Sequence, residues 1–110
     1  CAHGTATERG DIAESHATAA IFGDTPPISS LKSYFGHTLG ACGALEAWMS
    51  LEMIREGQLL PTLNLQNPDP LCGNLNYIMG KPIVADVEYL QTNNCAVGGI
   101  NTSLVIKRWP

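Results

Sequence analysis

The sequence predicts an α/β fold in which a mixed sheet packs on a buried helix, and three observations carry that prediction. Helical and strand-like segments alternate through the early part of the chain, whereas strands follow one another near its end. The last two strand candidates are joined across Gly98-Gly99, a turn that only glycine makes easily. The third observation is the run Leu39-Gly40-Ala41-Cys42-Gly43-Ala44-Leu45, which has no polar face. A helix that is apolar all round is a buried helix.

The elements follow in order. Residues 1–10 are polar and glycine-bearing, which predicts a loop leaving a strand. Asp11 opens a helix through Phe22, with Glu14 in its first turn, where the helix dipole favours a carboxylate. Gly23 ends that helix, and Pro26-Pro27 forbid its continuation. Ile28 to Lys32 reads as a short strand, followed by a turn through Gly36. Thr38 to Glu56 is the strongest helix, with Thr38 placed to cap it and Gly57 to stop it. Its small residues permit close backbone approach, and its second half, with Glu52, Arg55 and Glu56, returns to solvent. Residues 59–74 form a Pro- and Asn-rich connection. Strands are predicted at Leu75 to Met79, Val87 to Cys95 and Ile100 to Lys107.

Composition limits the partners. The chain has 110 residues, enough for one domain over 1–110, yet only 15% are charged, against roughly 25% in an average soluble domain. Such a thin charged skin predicts that part of the surface is hidden against something else. The opening on Cys1-Ala2-His3-Gly4, without a starting Met, predicts a fragment of a longer chain. A net charge of −4 and a single adjacent basic pair, Lys107-Arg108, argue against nucleic acid. No apolar run reaches a membrane span, the longest being broken by Glu46, Glu52 and Arg55. Of the four cysteines none forms a C-x-x-C pair, and no His lies at zinc-finger spacing, so no metal site is expected. Cys42 in a helical run and Cys95 in a strand-like run read as reduced core thiols, which predicts a cytoplasmic protein.

Bland packing does not explain His3, at a strand-to-loop transition, or Lys32 and His37, just before the apolar helix. Strand ends facing helix starts are where α/β proteins keep their sites, and helix-start amides support anions. Glu46 is the sharpest signal. An unpaired carboxylate in an apolar helix costs several kcal/mol, so it requires a cation, and Lys32 is the nearest candidate. Taken singly, each of these residues also has a plain structural explanation: a solvated histidine, a turn, a structural ion pair. His16, mid-helix, reads as a surface residue.

Together the motifs are more specific. Ala2-His3-Gly4-Thr5-Ala6-Thr7, with Asp11 and Glu14 behind it, resembles the A-H-G-T-x-T…D…E segment of β-ketoacyl synthases. Ser29-Ser30-Leu31-Lys32-Ser33-Tyr34-Phe35-Gly36-His37-Thr38-Leu39-Gly40-Ala41 is similar to S-S-x-K-x-x-x-G-H-x-x-G-A, and Gly43-Ala44-Leu45-Glu46-Ala47 continues it. Pro61-Thr62-Leu63-Asn64 with Pro68-Asp69, and the closing Gly98-Gly99-Ile100-Asn101, fall in the same order as in that family.

The resemblance implies the carboxy-terminal half of a thiolase-like five-layer fold and a decarboxylating Claisen condensation. It implies His3 and His37 as oxyanion donors, and Lys32 paired with Glu46 to hold the local field and the orientation of His3. It also implies a substrate pocket touched by Thr5, Thr7, Cys95, Val97 and Gly98. No resident cofactor is expected, the phosphopantetheine arm being delivered by an acyl carrier protein. The implied partners are that carrier, the amino-terminal half of the same synthase, and a second subunit in a homodimer or heterodimer. The family nucleophile matches no cysteine here, since Cys42 lies inside the buried helix where a thiol is inert, so the fragment alone is expected to be inactive. The family's N-S-F-G-F-G-G-T-N appears as Asn93-Asn94-Cys95-Ala96-Val97-Gly98-Gly99-Ile100-Asn101. Val97 and Cys95 thus replace two aromatic rings, Ala6 stands for the usual Gly, and the losses point to a specialised polyketide or polyene pathway. Rival readings are a non-condensing chain-length-factor partner and a thiolase-fold carrier-binding module; the retained His3, His37 and Lys32 favour an active parent.

Overall fold

The structure, a computed structural model, describes residues 1–110. Its elements run α1 (Glu8–Phe22), β1 (Pro27–Ile28), α2 (Lys32–Phe35), a 3₁₀ turn (Leu39–Ala41), α3 (Cys42–Glu56), β2 (Gln58–Leu59), β3 (Asn76–Tyr77), β4 (Ile83–Val84), β5 (Tyr89–Ala96) and β6 (Ile100–Lys107).

The sheet is mixed, as predicted: β1 pairs parallel with β3, and β5 pairs antiparallel with β6. Residues 1 and 2 join these two ladders, because Ala2 N donates to Ser29 O at 2.9 Å and Asn93 N donates to Cys1 O at 3.0 Å. The resulting order is β6, β5, residues 1–2, β1, β3, which delivers His3 directly off the middle of the sheet. A separate antiparallel pair, β2 with β4, lies beside α3 and had no signal in the sequence beyond two isolated apolar pairs. The core lies between α3 and the sheet, where Leu31, Met53, Ile54, Leu59, Ile78 and Leu90 form one cluster.

Several boundaries differ from the sequence expectation. The first helix starts at Glu8 rather than Asp11, because Gly10 is no breaker here. A Cβ on Gly10 would stand 2.4 Å from Thr7 Oγ1, so the glycine makes room for the threonine over the first turn. The predicted strand from Ile28 to Lys32 stops at Ile28. Side chains capture the backbone beyond it: Ser30 N donates to Thr62 Oγ1 at 2.9 Å and Ser33 Oγ donates to Ser30 O at 2.9 Å, and Lys32 then opens a helical turn. The helix expected from Thr38 is interrupted, because Leu39 sits at φ 53°, outside the helical region.

The apolar start of that helix is also not covered within these residues. Leu39 is 76% exposed and only Cys42 in the run is buried, while Met53 and Ile54 in the second half are the ones that enter the core. The helix turns one face, Cys42, Glu46, Ser50, Met53 and Ile54, inward along its whole length against β2 and β5, and leaves the opposite face outward. Cys95 is exposed as well, contrary to its expected place in the core, because β5 rises clear of α3 towards the hairpin. All four cysteines are free.

Candidate active site

The His3 loop is held by a carboxylate. Glu14 of α1 accepts from His3 N at 2.8 Å and from Gly4 N at 2.9 Å, one bond per oxygen. Ser30 Oγ donates to Gly4 O at 2.8 Å from the other side. Gly4 has φ +34°, and a Cβ there would stand 2.7 Å from Ser30 Cβ, so the position admits only glycine. The sequence offered Glu14 as a first-turn carboxylate and as the last residue of the A-H-G-T-x-T…D…E resemblance, with no partner named. Its reach back to the loop is a tertiary contact with no local signature.

Lys32 and Glu46 meet as the sequence predicts. Lys32 Nζ lies 2.5 Å from Glu46 Oε1, with side chains 5% and 0% exposed. The second oxygen, Oε2, accepts from Asn94 Nδ2 at 3.0 Å. Each oxygen of the buried carboxylate therefore has a partner, the condition under which a buried charge is tolerable.

The two candidate histidines come together edge to face, with ring centroids 5.4 Å apart and planes at 86°. His37 Nδ1 accepts from Leu39 N at 3.2 Å. That bond assigns the proton of the neutral ring to Nε2, which leaves Nε2–H free to donate. Leu39 itself sits at φ 53°, in the left-handed region, directly beside this bond. His3 titrates below the ordinary histidine value of 6.5, first because burial disfavours the charged ring and next because Lys32 repels it. His3 is therefore neutral at physiological pH, as a hydrogen-bond donor that must not surrender a full charge has to be.

Two clefts flank the pair. One of about 630 Å³ is lined by Thr5, Thr7, Lys32 and His37, with Asn64 and Asp69 opposite. The other, of about 580 Å³, holds His3, Cys95 and Asn101. Thr5 lines both, and its Oγ1 lies 3.1 Å from Thr7 Oγ1. Three of the five expected pocket residues, Thr5, Thr7 and Cys95, thus sit on cleft walls. Val97 and Gly98 do not. They form the hairpin tip, where Val97 is fully exposed and lines neither cleft. Cys95 is exposed overall, yet partial burial of its thiol, together with Glu14, pushes its titration up. It is a thiol rather than a thiolate. His16 lies away from both histidines, with Nε2 2.9 Å from Leu71 O. No three His, Cys, Asp or Glu side chains converge in a metal-ligating group.

A mixed sheet on a helix, with two histidines meeting beside a buried Lys32–Glu46 pair, defines the class as an α/β domain of thiolase-like fold. Comparison with known proteins agrees. The family of the β-ketoacyl synthase carboxy-terminal domain matches residues 1–66. The chain is 39% identical to 3-oxoacyl-[acyl-carrier-protein] synthase 2 of Coxiella burnetii, across 97% of this chain and 26% of that protein. It superposes on a β-ketoacyl synthase from Burkholderia phymatum with a TM-score of 0.96 and 59% identity, covering 98% of this chain and 26% of the other. It also superposes on a type II polyketide ketosynthase solved with its acyl-carrier protein and a bound hexaketide, at 0.93 and 33% identity, covering 99% and 27%. The chain belongs to the β-ketoacyl synthase family, and it spans about a quarter of the length of these relatives.

Proposed function

We propose that the protein carrying this chain joins an acyl thioester to malonyl-carrier protein by decarboxylating Claisen condensation. The malonyl group loses carbon dioxide, its electron pair passes to an enolate on the thioester oxygen, and the enolate carbon attacks an acyl group held on a cysteine outside these residues. A carbon–carbon bond forms and the carbon–sulfur bond to that cysteine breaks. The supporting observation is the pair of imidazoles meeting at 5.4 Å, with His37 Nδ1 accepting from Leu39 N so that Nε2 is free to donate. Two such N–H groups stabilise developing enolate charge. Lys32, held by Glu46, keeps His3 neutral and oriented.

Acyl and malonyl groups arrive on the phosphopantetheine arm of an acyl carrier protein, and Thr5 and Thr7 on the larger cleft receive it. The related ketosynthase solved with its carrier protein supports that partner. The amino-terminal half of the synthase supplies the nucleophile, and a second subunit completes a cytoplasmic dimer. Without that half these residues alone condense nothing. Val97 and Cys95, in place of aromatic rings, fit a polyketide or polyene pathway better than ordinary fatty-acid elongation.

The test separates the half-reactions. In the full-length protein, His3→Ala and His37→Ala should each lower malonyl decarboxylation by about 100- to 1,000-fold while acyl loading of the nucleophile continues. Loss of loading with decarboxylation retained would overturn the assignment.

A further inference from the structure

No apolar residue of α1 is buried; the one buried residue of the helix is Ser15. The helix is fastened instead by polar contacts from three successive residues, which fan out by about 100° each around its axis and so reach different neighbours. Glu14 accepts from His3 N and Gly4 N. Ser15 Oγ accepts from Gly73 N at 2.9 Å and donates to Ile12 O at 2.9 Å. His16 Nε2 lies 2.9 Å from Leu71 O, and an imidazole nitrogen facing a carbonyl oxygen donates. The fit is close as well as bonded, since a Cβ on Gly73 would stand 2.7 Å from Ser15 O. Within residues 67–73, Asp69 accepts from Leu71 N through Oδ1 at 2.8 Å and from Cys72 N through its carbonyl at 2.9 Å. That turn holds its own shape, and α1 decides where it stands.

The two segments fastened in this way both line the larger cleft: Thr5 and Thr7 on the side of the His3 loop, Asn67 and Asp69 on the other, with Glu14 and Ser15 also on its lining. We propose that Ser15 and His16 are positioning residues that set the spacing of these walls, and with it the preference of the cleft for a long, amide-bearing thioester arm over a short one. An arm lying in the cleft touches both walls at once only while both keep their distance from α1, and a displacement of about 1 Å at such contacts is costly. Because the same helical turn also holds the His3 loop through Glu14, the far wall is fixed relative to the histidine loop as well as to the threonines. The proposal rests on the reading that this cleft receives the phosphopantetheine arm.

The experiment compares malonyl-pantetheine with malonyl-N-acetylcysteamine, which keeps only the thiol end of the arm, as substrates for decarboxylation by the full-length protein. The unmodified protein should favour the longer thioester in kcat/KM. Ser15→Ala leaves the buried Gly73 N–H without its acceptor and should cut that preference by about tenfold, through a raised KM for malonyl-pantetheine, while the short thioester loses far less. His16 is exposed, so His16→Ala should fold, and it should cut the preference by a few-fold. His16→Gln, which supplies an amide donor in place of the imidazole N–H, should restore it. Should Ser15→Ala fail to fold, the two His16 variants decide the matter. A preference unchanged in every folded variant, or equal losses on both thioesters as a merely structural role would give, would overturn the proposal. An unmodified protein that does not distinguish the two thioesters would overturn the reading that this cleft takes the arm, and the proposal with it.

Discussion

Glu46 has no exposure to solvent, and its two oxygens are satisfied by two residues far apart in sequence, Lys32 and Asn94. Removing the carboxylate strands the Lys32 ammonium in the same enclosure. Glu46→Ala should therefore destabilise the full-length protein by about 3–5 kcal/mol, read as a lowered denaturant midpoint. A loss below that of an exposed-site control such as Glu56→Ala would show the pair to be dispensable. Gly4→Ala carries a comparable expectation, because its Cβ would collide with Ser30 while φ stays positive. It should release the His3 loop and lower decarboxylation with little change in α3. The pH dependence follows from His3. Its folded value lies below 6.5, so between 6.5 and that value the unfolded chain takes up a proton that the folded ring refuses. Its contribution to stability is complete above 6.5 and is lost as pH falls through that window. The acid limb of decarboxylation should accordingly lie below 6.5 and move up when Lys32→Met removes the neighbouring charge. At this scale Glu46 was legible because a lone charge in an apolar run demands a partner. The contacts of Glu14 and Asn94 were not, because a carboxylate in a helix's first turn and a polar residue on a strand each have an ordinary local explanation.

The elements were legible where backbone chemistry decides them locally. The hairpin across Gly98-Gly99 and the strand Ile100–Lys107 appear as read, with Ala96 paired to Ile100, since two glycines at φ 96° and 82° leave little choice of turn. Gly23 and Gly57 end their helices as expected. The segments that were misread are those where side chains or strain override propensity. Ser30 and Ser33 divert the chain after Ile28, and Leu39 at φ 53° breaks the helix start beside His37. Such departures gather at the candidate site, as expected when local preference gives way to function. Ala6 is a third case, at φ 59°, in the loop that carries His3 and Thr5. A Cβ in the left-handed region costs about 1–2 kcal/mol, of which the extra freedom of an unfolded glycine returns roughly half. Ala6→Gly should thus raise the unfolding free energy of the full-length protein by up to about 1 kcal/mol while leaving decarboxylation within a few-fold of its value. A destabilised variant would mean that the Ala6 methyl makes a packing contact worth more than the strain.

Across the whole molecule, apolar surface is abundant and cover is scarce. Only 17 of the 110 residues are buried, so the core cluster between α3 and the sheet must hold the fold almost alone. Meanwhile α3 turns Trp48 and Leu51 outward, at 57% and 50% exposure, and the turn before it exposes Leu39 at 76%. On the sheet, β6 leaves Ile100, Leu104 and Val105 exposed and presents an unpaired edge. Monomeric proteins rarely show contiguous apolar patches beyond a few hundred Å², and an open apolar strand edge templates pairing with another chain. With 15% charged residues there is little like-charge repulsion to oppose contact. The 110 residues expressed by themselves should therefore self-associate, giving a concentration-dependent mass in light scattering and binding a hydrophobic dye before any heating. Trp48→Glu with Leu51→Lys on the outward face of α3 should reduce both signals without touching the Lys32–Glu46 pair on the inward face. A monodisperse monomer that melts cooperatively and ignores the dye would show that this exposed surface needs no cover, and would remove the physical basis for a layered fold completed by further chain.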